Sequence, residues 1–264
     1  MDLQLKGKTA LVTGSTAGIG LAIAQKLLEE GATVYVNGRT QARVDAALSR
    51  LRQEVPGAAA RGVAADFSKV QEVNALLKEI PEVDILVNNV GMFTIKDFTD
   101  ISDADWLGIY EVNVLSGIRL SRHYFPGMLK NNWGRIIFIS SESALHIPAE
   151  MIHYGVTKTA QLAVSRGLAE LTKGTAVTVN AVLPGPTRSE GLEGFVEEMS
   201  AQQNKPQAEV EKEFFELARP TSLLQRFTTT EEIANLVAFV ASPLSSGTNG
   251  AALRVDGGVV KTIA

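Results

Sequence analysis

Residues Thr9-Ala10-Leu11-Val12-Thr13-Gly14-Ser15-Thr16-Ala17-Gly18-Ile19-Gly20 pass from an apolar, β-branched strand pattern through a glycine-rich turn into a helical pattern. Glycines at Gly14, Gly18 and Gly20 permit a tight turn and let a ligand approach the backbone closely. A helix that begins at Ile19 presents free N–H groups and a partial positive charge to that turn, which suits a pyrophosphate. Such a loop carries weight only between a strand and a helix, and that context is present here. The spacing is Gly-x3-Gly-x-Gly rather than the commoner Gly-x-Gly-x-x-Gly.

Outward from this segment, the first helix runs to about Glu30 and stops at Gly31. Strand-length apolar runs follow at Thr33–Val36, 59–65, Val83–Val87, Arg135–Ser140, Ala176–Val182 and Leu253–Val255. Helical patterns lie between them at Gln41–Arg52, Lys69–Glu79, Asp103–Met128, Ile152–Thr172 and Glu231–Val240. The strands are nearly continuous apolar runs, as expected when both faces are buried. Regular alternation of strand and helix predicts an α/β fold: a Rossmann-type, doubly wound parallel sheet of about seven strands with helices on both faces. One segment, 186–225, breaks the rhythm. It has no strand pattern and many glutamates, and it is predicted to be a helical lid over the substrate. No repeat, low-complexity tract or linker divides the chain, so residues 1–264 read as a single dinucleotide-binding catalytic domain.

The net charge is −4 and no Lys/Arg-rich run occurs, so no nucleic-acid partner is expected. The chain has no cysteine, which excludes disulfides, thiol nucleophiles and Cys-ligated zinc. His123, His146 and His153 show no metal-ligand spacing, so no metal site is expected. Met1–Lys8 lacks the apolar core of a signal peptide, and no stretch approaches the roughly 20 apolar residues of a membrane helix. A soluble, cytoplasmic protein with no membrane partner is the expectation.

Tyr154 and Lys158 are four residues apart in a helical pattern and share one helix face. A nearby ammonium favours the phenolate, so Lys158 is expected to lower the Tyr154 pKa toward the range where proton transfer is efficient. Ser141 stands at the C-terminal end of the fifth strand, where open parallel sheets bind their ligands.

TGSTAGIG at 13–20, NNVG at 88–91, Asn113, Ser141, Tyr154-x3-Lys158 and Pro184-Gly185 stand in the order and spacing found in the short-chain dehydrogenase/reductase family. The resemblance covers roughly Gly7 to Gly258 and is weakest over 186–225. It implies hydride transfer between a nicotinamide cofactor and a ketone or secondary alcohol. It makes Asn113, Ser141, Tyr154 and Lys158 the catalytic set, with Tyr154 as acid or base and Ser141 holding the substrate oxygen. Lys158 would also bind the nicotinamide ribose, and Asn113 would organise a water between Lys158 and solvent. Cofactor contacts are implied at Gly14, Ser15, Thr16, Gly18, Ile19, Gly20, Asp66, Phe67, Asn89 and Gly91, with Asp66 on the adenine. Pro184, Gly185, Thr187 and Ser189 would meet the nicotinamide carboxamide.

In the family alignment Gly38 occupies the slot where an acidic residue would hold the adenosine ribose, and Arg39 follows it. A guanidinium there can pair with a 2′-phosphate, so NADP(H) is expected over NAD(H). His146 is a candidate substrate contact, and Ser140 and Ser143 are decoys beside Ser141. In the lid, Phe195, Met199, Phe214, Phe215 and Leu217 are expected on the apolar inner side. Glu190, Glu193, Glu197, Glu198, Glu209, Glu211, Glu213 and Glu216 are expected on solvated faces. A 3-oxoacyl-carrier-protein reductase and a cofactor-binding regulator without turnover are the competing readings. Intact Ser141, Tyr154 and Lys158 argue against the second. The long helices at 103–128 and 152–172 resemble those between subunits in family oligomers, so a homotetramer or dimer is expected.

Overall fold

The computed structural model describes residues 1–263; the side chain of Phe195, expected in the lid's apolar face, lies outside the described residues. The strands are β1 (Thr9–Val12), β2 (Thr33–Gly38), β3 (Ala60–Ala64), β4 (Ile85–Asn88), β5 (Gly134–Ile139), β6 (Val177–Pro184), β7 (Thr187–Arg188), β8 (Thr228–Thr229) and β9 (Ala252–Val255). The helices are α1 (Gly18–Glu29), α2 (Gln41–Glu54), α3 (Val70–Glu79), α4 (Asp103–Tyr110), α5 (Ser116–Lys130), α6 (Ile152–Glu170), α7 (Glu190–Gln203), α8 (Gln207–Leu217) and α9 (Thr230–Ala241). Seven strands form one parallel sheet in the order β3-β2-β1-β4-β5-β6-β9. The doubly wound α/β sheet read from the sequence is the observed fold.

Strand alternation explains why both faces must be covered. Ala10, Val12, Ile85, Val87, Ile137 and Ile139 join one core beneath α1, α2 and α9. Leu11, Leu86, Ile136 and Phe138 point the other way, into a core with α3, α5 and α6. Each such side chain contributes about 1.5–3 kcal/mol on full burial. Neither face of the central strands has a polar side left for water.

Chain direction reverses about β1: the chain steps outward through β2 and β3, then returns to place β4 on the other side of β1. The crevice beyond the C-terminal ends of β1 and β4 is where such sheets bind ligands. The glycine loop leaves β1 and the Asn88–Gly91 turn leaves β4 at that crevice.

Two expectations are corrected. The single helix predicted over Asp103–Met128 is interrupted by a π-helical turn at Glu111–Leu115, and Asn113 sits inside it. The widened turn is anchored by Asn113, whose side chain bonds the Met92 backbone rather than solvent. The segment after β6 is not free of strand: β7 pairs in parallel with β8, Thr187 opposite Thr228 and Arg188 opposite Thr229. Two residues are too short to leave a periodic signal. This ribbon closes the base of the segment predicted as a lid, which carries the helices α7 and α8.

Candidate active site

A cavity of about 390 Å³ opens beyond the C-terminal ends of the central strands. It is bordered by Ile19 of the glycine loop, Asn89 and Gly91 after β4, Ser141 after β5, Tyr154 and Lys158 on α6, and the Pro184–Thr187 loop after β6. Leu192, Phe214 and Arg219 approach it from the lid. A second hollow of about 200 Å³ lies between the glycine loop and the start of α7, between Gly18, Gly20, Asn89 and Ser189. Ser141, Tyr154, Lys158 and part of the expected cofactor set therefore meet at one cavity from five separate segments.

The glycine loop is braced from the rear. Gly14 has φ +60°, a conformation L side chains rarely adopt. A Cβ on Gly20 would stand 2.4 Å from the Gly14 carbonyl oxygen and 2.5 Å from Asn89 Nδ2. Asn89 Nδ2 donates to the carbonyls of Thr13 and Gly14 at 2.8 and 3.1 Å. Asn37 Oδ1 accepts from Gly14 N at 3.0 Å, and its amide donates to the Val63 and Ala65 carbonyls. Ser15 Oγ donates to the Val12 carbonyl and accepts from Asn37 N. The side chains of Ser15 and Asn89 are thus spent on shaping the loop, leaving its backbone for a ligand. No side chain caps α1, so its first N–H groups are free to hold an anion. A close backbone, an uncapped helix end and an adjoining hollow fit a dinucleotide pyrophosphate.

At the end of β2, the Thr16 methyl carbon lies 2.4 Å from where a Gly38 Cβ would be, so it fills that slot and a side chain there requires Thr16 to move. Arg39 is exposed beside it. Asp66 accepts from Ser68 N and Oγ at 3.0 and 2.8 Å. These hydrogen bonds, with help from Lys69 and Arg39, hold its carboxyl below the usual value. Phe67 is buried in the core beneath α3, so only its backbone is available to a ligand.

Ser140 and Ser141 separate cleanly. Ser140 Oγ donates to the Lys158 carbonyl at 2.9 Å and fastens β5 to α6. Ser141 lines the cavity, and its hydroxyl donates to the Glu142 carboxylate. Ser143 is turned onto the same carboxylate through its N and Oγ, at 2.6 and 2.9 Å. Tyr154 keeps partial exposure through the cavity and meets Phe93 edge-to-face at 6.1 Å.

Lys158 Nζ donates to the Ile139 carbonyl at 2.9 Å and to Gln161 Oε1 at 3.3 Å. An ammonium has three donors, so one remains. Gln161 Nε2 donates in turn to the Asn113 carbonyl at 2.6 Å. Asn113 spends its side chain on Met92 N, Met92 O and Thr157 Oγ1. It reaches Lys158 through Gln161, a residue the sequence reading passed over.

The expected lowering of the Tyr154 pKa by Lys158 is not what this arrangement produces. Burial raises the phenol above its ordinary value; Ser141 and Arg219 pull it down, and Glu142 pushes it further up. Lys158 Nζ is 5.6 Å from the ring centroid and directed elsewhere. Burial pushes its own pKa down to about 8. Desolvation is the largest cause of both shifts.

Other candidates are distributed as follows. Thr187 lines the cavity, but its hydroxyl is engaged with Gly185 O and Thr228 Oγ1. Ser189 lines both hollows and caps nothing. His146 is exposed and stands apart from the residues lining the cavity, so the arrangement does not bring it to the site. His153 is on α6 rather than in a loop, buried, with Nε2 2.8 Å from Thr94 Oγ1. Leu217 is 80% exposed and does not face inward. The lid core is instead Val196, Val210, Phe215 and Phe227, with Leu192, Met199 and Phe214 around it. Of the lid glutamates, Glu211 pairs with Arg188 and Glu213 with Lys205. Glu142 and Arg219, also passed over in the sequence, form a buried ion pair at the cavity wall. A carboxylate inside the small-residue run Ser140–Ala144 was the available signal. No group of residues able to hold a metal ion occurs among the described residues, and no helix is long and apolar enough to cross a membrane.

Residues 8–200 match the family described as short chain dehydrogenase. The uncharacterized oxidoreductase YvaG of Bacillus subtilis is 48% identical over 263 residues, covering 100% of both chains. The 3-oxoacyl-acyl-carrier-protein reductase FabG of Aquifex aeolicus is 33% identical, covering 98% of this chain and 100% of its own. L-sorbose reductase from Gluconobacter frateurii, solved in complex with NADPH and L-sorbose, superposes with a TM-score of 0.93 at 30% identity and full coverage of both chains. With its sheet order, its glycine loop and these similarities taken together, the chain belongs to the short-chain dehydrogenase/reductase family of oxidoreductases acting on CH–OH and C=O groups.

Proposed function

We propose that the chain is an NADPH-dependent reductase of small or medium ketones, with Tyr154 as the proton donor. The observation that carries this reading is the convergence of Ser141, Tyr154 and Lys158 with the glycine loop on one cavity. A bound nicotinamide would supply the hydride to the carbonyl carbon. Tyr154 gives its hydroxyl proton to the carbonyl oxygen, and Ser141 orients that oxygen from the end of β5. The remaining donor of Lys158 is available to the ribose hydroxyls, and Gln161 and the Ile139 carbonyl hold its stem in place.

A phenol whose pKa is raised by burial is held in its protonated form, the form that donates a proton in the reductive direction. The choice of NADPH rests on the filled slot at Gly38 and the exposed guanidinium of Arg39. The NADPH complex of the L-sorbose reductase at 30% identity supports it. Following cofactor absorbance across a ketone panel, with Tyr154→Phe as control, tests the reaction. Arg39→Ala tests the cofactor: NADPH preference should fall by about tenfold, as for loss of one charged hydrogen bond. Preference for NADH in the wild type, unchanged in the variant, overturns that part.

A further inference from the structure

Glu142 and Arg219 are 3% and 7% exposed, yet both line the cavity beside Ser141 and Tyr154. Glu142 Oε1 accepts from Arg219 Nε at 2.9 Å. A buried ion pair costs desolvation that its attraction only roughly repays, so stability alone gives little reason to set one in this wall. The hydrogen-bond inventory is uneven. Oε2 of Glu142 is filled by Ser141 Oγ, Ser143 N and Ser143 Oγ. Oε1 receives only Arg219 and has a lone pair left. Arg219 Nη1 donates to the Ala218 carbonyl, while Nη2 has no acceptor among the described residues. The pair therefore offers the cavity one acceptor and one donor, side by side. Ser141, which lines the cavity beside Tyr154, bonds the Glu142 carboxylate, so the pair stands next to the residues that meet the reacting carbonyl.

We infer that Glu142 and Arg219 are specificity-determining residues that read a hydroxyl group next to the substrate carbonyl, making the preferred substrates α-hydroxy ketones. A hydroxyl both donates and accepts, and so matches the pair. A carboxylate in that place meets the Glu142 anion, and an ammonium meets Arg219. An alkyl group leaves both buried polar atoms unpaired. The other side of the cavity, with Met92, Phe93, Ile95, Leu192 and Phe214, accommodates the alkyl remainder. Arg219 follows the last turn of α8, so the lid supplies half of the recognition element.

This inference rests on the ketone-reductase reading, and its test separates the two. Three four-carbon substrates are compared in the wild type: 1-hydroxy-2-butanone, 2-butanone and 2-oxobutanoate. The expected kcat/KM is about a hundredfold or more in favour of the hydroxy ketone, because sites built to bond a hydroxyl reject analogues without one. In Glu142→Gln, and in the charge-neutral double variant Glu142→Gln with Arg219→Gln, that ratio should fall at least tenfold, whatever the absolute rates. Equal use of the hydroxy ketone and 2-butanone, or preference for the keto acid, overturns the inference while leaving the reductase reading intact. An unchanged ratio in folded variants, verified by cofactor binding, overturns it too, since the pair would then serve only to position Ser141. Reduction of none of the three overturns both.

Discussion

Ser141, Tyr154 and Lys158 stand at the ends of β5 and on α6, elements whose side chains merge into the two large cores of the sheet. Leu192, Phe214 and Arg219 come from a lid whose own core is four buried residues, Val196, Val210, Phe215 and Phe227. That lid is joined to the body by a two-residue strand pair, the buried Arg219–Glu142 pair and hydrogen bonds from Thr221, Leu223 and Leu224 to the carbonyls of Val259 and Gly257. Floor and roof of one cavity thus differ in how firmly they are held. The floor is held between two large apolar cores. The roof, with less apolar contact per residue, is the part that opens locally at low cost. On the proposed reading, chemistry belongs to the floor and selection to the roof, and variants in the two regions should fail in different ways.

Tyr154→Phe should lower kcat/KM by about 10²–10⁴-fold, the usual worth of a positioned general acid. Cofactor affinity and melting temperature should hold, because the ring packing is kept. Equal damage to kcat from a lid variant would break the division. Phe215→Ala removes the most buried side chain of the lid core and should cost about 3–5 kcal/mol of local packing. The expected signature is a raised KM and faster amide exchange in α7 and α8, with exchange in β1, β4 and β5 unaltered. Gly20→Ala forces a Cβ against the Gly14 carbonyl. Overpacking of about 1–3 kcal/mol should weaken cofactor binding roughly ten- to hundredfold in a titration.

Lys158 sharpens the contrast from the stability side. Its pKa falls from 10.5 to about 8 on burial. Between those values the unfolded chain binds more protons than the folded one, so this group's contribution to stability rises with pH across that window. Below pH 8 the folded state carries the desolvated ammonium. Lys158→Met should therefore be inactive yet more stable at pH 7, by about 1–3 kcal/mol, or roughly 2–4 °C per kcal/mol. The gain should vanish as pH approaches 10.5. Thermal melts at pH 7 and 10 check the sign.

The main elements were legible because each announces itself locally. Continuous apolar runs at Leu11 and Ile136 could only be strands covered on both faces, and the glycine loop between β1 and α1 carries its own turn chemistry. The π-turn at Asn113 was not legible, since its cause is Met92, distant in sequence. Nor was the β7–β8 pair, which joins residues 41 apart. Leu217 was misread because helical spacing cannot say which face of α8 meets the small lid core.

Sequence alone determined the sheet and the place of the glycine loop, because local periodicity and turn chemistry encode them, while Ser141, Tyr154 and Lys158 were named by resemblance to a family pattern. Tertiary structure alone decided the rest. It put Arg219 against Glu142, 77 positions away in the chain, and routed Lys158 through Gln161 to Asn113. It also raised the Tyr154 phenol instead of lowering it. The physical reason is desolvation: how far a charge is removed from water depends on every segment that closes around it, and no single stretch of chain records that.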